Sequence, residues 1–105
     1  MKTPNSYNTF STKDPDEVWQ LSVDFSKILA SGETISSSTW SVTAYTGTDA
    51  SPSSILSGIP SIVGTKSKHT VIDGLDGVVY RIKATAETSL GNTYVGIGFL
   101  PVEES

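Results

Sequence analysis

The chain has 105 residues, a net charge of −4 from eleven acidic and seven basic residues, and no cysteine. This length suits one domain with one hydrophobic core. The lack of cysteine excludes a disulfide framework and thiolate chemistry, and it favours folding in a reducing cytoplasm. The basic residues form no patch of the kind that binds nucleic acid, and no apolar stretch approaches the roughly 20 residues that span a bilayer.

The start of the chain, residues 1–13, is polar and has Tyr7 and Phe10 as its only large apolar side chains. It lacks the apolar run of a signal peptide. We interpret it as a flexible arm, with room for one short strand, whose two aromatic rings anchor a neighbouring subunit. Deleting residues 1–12 is therefore expected to spare the fold and to harm assembly.

Four runs of alternating apolar and polar residues follow, at residues 18–26, 39–45, 78–88 and 93–100. Successive side chains of a strand point to opposite faces, so each run predicts a half-buried strand. Helical spacing would spread the apolar residues of the first run around most of a cylinder, which argues against a helix there. The predicted core consists of Trp19, Leu21, Val23, Phe25, Trp40, Val42, Tyr80, Ile82, Ala84, Val95, Ile97 and Phe99.

The segments between these runs contain shorter signals. Residues 27–30 suggest one helical turn, and residues 65–72 suggest a further strand. Residues 46–61 are rich in glycine, proline and serine and predict a long loop, with room for a short strand at residues 55–56. Pro101 ends the last strand.

Six or seven short strands separated by frequent turns predict an antiparallel β-sandwich of about seven strands, of the immunoglobulin or fibronectin type III kind. Leu75 precedes Tyr80 by five residues, a spacing similar to the tyrosine corner of such domains. A small barrel is the second choice. We place the single domain at residues 14–101, between the arm and a tail at residues 102–105.

Candidates for catalysis and metal binding are few. His69 is the only histidine, and no aligned nucleophile accompanies it, so we expect a surface or edge-strand position. Asp73 and Asp76 lie beside glycines and suit turn geometry better than a calcium site. The acidic cluster at residues 14–17 offers a cation or a basic partner a binding site, but a soluble turn is the simpler interpretation. We therefore predict no catalytic residue, no metal site and no cofactor.

Two features concern contacts with other chains. Gly96 and Gly98 leave one face of the last strand bare, either for another chain or for large core side chains. Some aromatic residues fall outside the core pattern and are candidate partner contacts. These candidates are Tyr7, Phe10, Tyr45 and Tyr94.

Three motifs stand out in the first half of the chain. Residues 13–18 read Lys-Asp-Pro-Asp-Glu-Val, residues 23–26 read Val-Asp-Phe-Ser, and residues 32–40 read Gly-Glu-Thr-Ile-Ser-Ser-Ser-Thr-Trp. Together they resemble a family of small structural proteins of tailed bacteriophages, described as fibre-tail adaptors or head-tail region proteins. The chain departs from the family pattern at Phe25, where tryptophan is usual, and at Glu33, where aspartate is usual.

The resemblance implies a non-enzymatic virion protein, made in the bacterial cytoplasm, that binds other phage virion proteins at the tail or the head-tail junction. Such contacts depend on buried area and good fit, for which strand edges, the arm and the loop at residues 46–61 are available. A homo-oligomer in the particle is expected, with no nucleic-acid or membrane partner. The alternative is a carbohydrate-binding module, which requires at least two exposed aromatic faces side by side.

Overall fold

The computed structural model describes residues 7–104 and the side chains of residues 9–104. The chain is all-β, as predicted, and no helix of the described part is long and apolar enough to cross a membrane. The strands are β1 (Tyr7–Thr9), β2 (Trp19–Asp24), β3 (Ile35–Thr46), β4 (Leu56–Val63), β5 (Lys66–Val71), β6 (Val79–Thr88) and β7 (Thr93–Pro101), with one 3₁₀ turn at Pro52–Ile55.

The strands form two sheets. The four-stranded sheet has the order β1-β7-β6-β3, and the three-stranded sheet has the order β2-β5-β4. Strand β1 runs parallel to β7, whereas all other paired strands are antiparallel. Buried side chains from both sheets meet in the same clusters, so the core lies between the sheets.

Strands β2, β3 and β6 bury the faces that their alternation predicts. Along β6, Tyr80, Ile82 and Ala84 are fully buried, and the residues between them are more exposed. Trp19 and Trp40 are partly exposed but pack against the core. The alternation therefore reports the inward face correctly where large apolar side chains occupy it.

Strand β7 has the opposite phase from the predicted one. A Cβ added at Gly96 would lie 2.5 Å from Val23 of the opposite sheet, and one added at Gly98 would overlap the ring of Phe10. The glycines therefore mark the inward face, and Val95 and Phe99, two predicted core residues, are half-buried on the other side. Ile97 lies on that other side too, but it is buried as predicted. The prediction fails here because the apolar volume under the glycines comes from other segments of the chain.

His69 also differs from its predicted surface or edge-strand position. It lies on β5, the central strand of its sheet, and is only 4% exposed. Its Nδ1 lies 3.0 Å from the carbonyl oxygen of Thr70. A polar ring with such a partner can be buried at little cost.

The predicted loop at residues 46–61 is shorter than expected, because the 3₁₀ turn and β4 occupy its second half. Pairing between β4 and β5 is interrupted between Ser57 and Ser61. Gly58 has a φ of 77° there, and Pro60 has no N–H to donate. An interrupted edge strand with turn residues reads as a loop in sequence.

The packed unit extends beyond the predicted bounds of residues 14–101. The N–H of Phe10 donates to the carbonyl of Phe99 at 2.8 Å, and Lys13 and Val102 are buried. Part of the predicted arm is thus integrated into the sandwich. Residues 1–6 lie outside the described residues, and the flexibility of the arm stays a prediction.

Candidate interaction surfaces

Lys13 joins several segments at one end of the sandwich. Its side chain is fully buried, and its ammonium donates to the carbonyl oxygens of Asp14 at 3.0 Å, Pro15 at 3.4 Å and Asp73 at 2.7 Å. The N–H of Glu103 donates to the carbonyl of Lys13 at 2.9 Å. Burial lowers the pKa of Lys13, and the neighbouring carboxylates, Asp73 foremost, oppose that shift. Lys13 therefore acts as a structural cation.

The acidic motif after Lys13 satisfies its own backbone. The N–H of Asp16 donates to Oδ1 of Asp14, and the N–H of Asp14 donates to Oε1 of Glu17, both at 2.8 Å. Side-chain oxygens of this kind close turns. The simpler of the two predicted roles, a soluble turn, accounts for this geometry.

Most of the acidic residues lie at the same end of the molecule as Lys13. The N–H of Glu104 donates to Oδ1 of Asp76, and the N–H of Gly77 donates to the carbonyl of Val102, so the tail lies beside the β5–β6 turn. We call this region the acidic end. It comprises Asp14, Asp16, Glu17, Asp49, Asp73, Asp76, Glu103 and Glu104, with the exposed apolar residues Val18 and Leu75 among them.

Tyr80 anchors the inner side of the acidic end. Its hydroxyl accepts a hydrogen bond from the N–H of Leu75 at 2.9 Å, the bond that the five-residue spacing predicts, and donates to Oδ2 of Asp49 at 2.7 Å. Burial, together with the bond to Asp49, raises the pKa of Tyr80 to about 12. The same bond lowers the pKa of Asp49.

Glu33 forms a buried clasp at the opposite end. Its Oε1 accepts from the N–H of Ala30 at 2.8 Å, and its Oε2 accepts from Asn92 Nδ2 at 2.9 Å and from the hydroxyl of Thr88. The Thr88 hydroxyl, followed by the Ala30 N–H, lowers the pKa of Glu33. Tyr94, a predicted partner contact, is half-buried, with its hydroxyl 3.5 Å from Glu33.

Tyr45 is the predicted partner contact that the structure leaves most open. It is 64% exposed and its ring contacts that of Phe99, with centroids 4.8 Å apart. Phe10 instead packs over Gly98 within its own chain, and the side chain of Tyr7 lies outside the described residues. We call the solvent side of the four-stranded sheet the outer sheet face. Its exposed and half-buried residues include Tyr45, Val79, Arg81, Lys83, Val95 and Phe99, whereas Ile97 beside them is buried.

The edge strand β4 and its partner β5 form a second apolar surface. Ile59, Val63 and Ile62 are 87%, 55% and 38% exposed. Lys66 and Lys68 point away from the core on β5, because Ser67 and His69 between and beside them are buried. We call Ile59, Val63, Lys66 and Lys68 the hairpin surface, whereas Ile62 pairs with the buried Ser67 and lies on the inner side of the hairpin. This surface was not predicted, because Ile59 falls within the loop predicted at residues 46–61.

A polar cluster lies between the sheets. The indole N–H of Trp40 donates to Oγ of Ser67 at 2.8 Å, and the hydroxyls of Ser38 and Ser67 lie 2.6 Å apart. The ring of His69 is tilted against that of Trp40, with centroids 5.5 Å apart. These contacts give His69 a packing role. Within residues 7–104, no group of three or more acidic, histidine or cysteine side chains could hold a metal ion.

Comparison with known proteins decides the family. The family model described as podophage GP4 fiber-tail adaptor protein gp77 matches residues 13–96. The chain belongs to this family. No curated protein matches the chain.

The match to the fiber-tail adaptor family begins at Lys13 and ends at Gly96, midway along β7. It therefore includes the buried Lys13, the Glu33 clasp and the whole hairpin surface. The resemblance carried by the three sequence motifs is confirmed. In the structure those motifs supply turns, buried hydrogen bonds and core side chains such as Val23 and Phe25.

Proposed function

We propose that the chain is a non-enzymatic virion protein that connects fibres to the tail of a podophage through protein–protein contacts. The observation that supports this most directly is the family match over residues 13–96. The exposed apolar surfaces are consistent with it, because contiguous apolar patches commonly mark interaction sites. Synthesis in the host cytoplasm and several copies per particle are part of the same proposal.

We infer an immunoglobulin-like architecture for this adaptor. The order β2-β5-β4 and the order β7-β6-β3 correspond to the B-E-D and G-F-C arrangements of seven-stranded immunoglobulin sandwiches. The bond between Tyr80 and Leu75 corresponds to a tyrosine corner. Such a rigid sandwich suits an adaptor, since its two sheets and their edges face different neighbours.

The outer sheet face is our candidate for the contact with another tail or fibre protein. Tyr45 and Phe99 offer aromatic area, and Arg81 lies on the same face because Ile82 beside it is buried. Tyrosine and arginine are enriched among residues that dominate binding energy. The carbohydrate-binding alternative has less support, because Trp19 and Trp40 pack against the core.

The test uses particles assembled with and without this chain. Particles that lack it are expected to have tails without fibres in electron micrographs, and wild-type protein added back is expected to restore fibre attachment. Tyr45→Ala should restore attachment at least about tenfold less well, with Leu90→Ala, at an exposed residue of the β6–β7 turn outside the outer sheet face, as the control. Fibres in place on particles that lack the chain would contradict the adaptor role.

A further inference from the structure

The acidic residues are concentrated at one end of the molecule, whereas the basic residues are spread over several surfaces. The acidic end holds eight of the eleven acidic residues. Within the part of the chain that the structure describes, the basic residue at this end is Lys13, which is buried. The hairpin surface lies within residues 50–72, a stretch without any acidic residue, and carries Lys66 and Lys68. Lys66 pairs across the sheet with Asp24, so Lys68 is the less compensated lysine.

Both surfaces also expose apolar side chains among their charges. Val18 and Leu75 of the acidic end are 65% and 50% exposed, and Ile59 and Val63 of the hairpin surface are 87% and 55% exposed. Each surface therefore offers apolar area and the charge sign that the other lacks. Charge complementarity of this kind selects partners and orients their encounter.

We propose that the hairpin surface of one copy docks on the acidic end of a second copy. Lys66 begins β5 and Asp73 lies two residues beyond the end of that strand, a separation of about 20 Å for an extended chain. The two surfaces thus lie apart on the molecule, and a contact between these two different patches is head-to-tail. Contacts between two different patches generate rings when they close. This inference rests on the proposed presence of several copies in the particle.

Side chains rather than strand pairing make the contact. Strand β4 is an edge strand, and an edge commonly invites another strand to pair. Here the left-handed backbone of Gly58 and the missing N–H of Pro60 interrupt the strand. Ile59 lies between them and projects into solvent. The strand therefore presents the exposed side chain of Ile59 in place of a continuous row of backbone hydrogen-bonding groups.

Sedimentation velocity of the full chain tests the self-association. At concentrations up to about 1 mM, the range of effective concentrations for tethered subunits, we expect oligomers that grow with concentration. Raising the salt from about 0.1 M to about 1 M shortens the Debye length from about 10 Å to about 3 Å and should reduce the oligomers. A chain that stays monomeric throughout would overturn the proposal.

Charge reversal identifies the two surfaces. Lys66→Glu/Lys68→Glu alone, or Asp16→Lys/Glu103→Lys/Glu104→Lys alone, should weaken self-association at least about tenfold. Mixing the two variants should restore it, because the reversed hairpin of one again meets the reversed acidic end of the other. Loss in the single variants without recovery in the mixture would refute the proposed pairing.

The apolar contribution has a matched control. Ile59→Ser should weaken self-association, whereas Leu90→Ser, at another exposed site on the β6–β7 turn, should leave it unchanged. Equal effects of both changes would count against the hairpin surface. Incorporation of the chain into particles is measured separately. Normal incorporation and fibre attachment by a copy that does not self-associate would remove this inference and leave the adaptor role intact.

Discussion

Two buried charged residues stabilise this small sandwich, one at each end. Lys13 donates to carbonyl oxygens at the acidic end, and Glu33 accepts from hydroxyl, amide and backbone donors at the other end. Neither charge relies on a single ion pair. Burial of a charge is tolerated when hydrogen bonds surround it, and removing the charge leaves its partners unsatisfied.

Lys13→Met is expected to lower the free energy of unfolding by about 3 kcal/mol, because methionine fills the space but leaves buried carbonyls without a donor. Urea denaturation followed by tryptophan fluorescence measures the change. Lys27→Met, at an exposed lysine, is the control and should change stability by less than about 0.5 kcal/mol. Equal stability of the two variants would show that the ammonium is dispensable.

Glu33→Gln is expected to lower the free energy of unfolding at neutral pH. It should also make that free energy less dependent on pH in the acid range. The pKa of Glu33 is lowered in the folded chain, so its contribution is present above the unfolded value of about 4.3 and is lost as the pH falls through the folded pKa. An amide in its place must aim an NH₂ group at other donors. Unfolding by urea measured between about pH 7 and pH 3 reports the difference.

The control for this experiment is Glu103→Gln, at an exposed carboxylate. It should keep the slope of stability against pH that the wild type shows below about pH 4.3. If Glu33→Gln keeps the wild-type slope of stability against pH, the lowered pKa of Glu33 does not explain that slope.

At the scale of elements, the most informative strand is β7. Its inward positions at Gly96 and Gly98 accept side chains from β2 and from Phe10. Gly98→Ala is expected to lower the free energy of unfolding by about 1–3 kcal/mol, because the added methyl group overlaps the ring of Phe10, which must shift to make room. Thermal or urea unfolding measures it.

A double-variant cycle isolates the cause of that loss. Gly98→Ala combined with Phe10→Leu should cost less than the sum of the two single changes, since the smaller side chain frees space for the methyl group. If the losses in unfolding free energy of the two single changes simply add, the overlap with Phe10 is not the cause of the destabilisation by Gly98→Ala.

The sequence predicts a strand well when the strand carries its own apolar face. Leu21 on β2 and Ile82 on β6 are buried as their alternation predicts. The phase of β7 could not be read, because the bulk that covers its glycines belongs to residues distant in sequence. His69 was misplaced for a similar reason, since polarity does not reveal a buried hydrogen bond.

The candidate surfaces were only partly predictable. Tyr45 was identified from its position outside the core pattern and is exposed. Phe10 has the same aromatic character, but β1 draws it into the sandwich. The hairpin surface gave no signal, because Gly58 and Pro60 disguise the strand that carries it. Exposure depends on which neighbours the fold supplies, and single-sequence patterns do not contain that information.

At the scale of the whole molecule, the N-terminal segment contributes to stability as well as to any contact with partners. Deleting residues 1–12 removes β1 and Phe10 and should lower the free energy of unfolding by about 2–4 kcal/mol. Deleting residues 1–6, which keeps β1 and Phe10, is the matched control and should cost less stability. Equal stability of the two truncated chains, measured by urea unfolding, would restore the picture of an independent arm.

The glycines of β7 have a consequence for comparing this chain with its relatives. An alignment that matches hydrophobic columns would shift this strand by one residue and exchange its two faces. Aligning the two glycines of the strand before its hydrophobic residues would avoid that error. In a saturation mutagenesis library, Gly96 and Gly98 should tolerate the fewest replacements in the strand, while the half-buried Val95 should accept many.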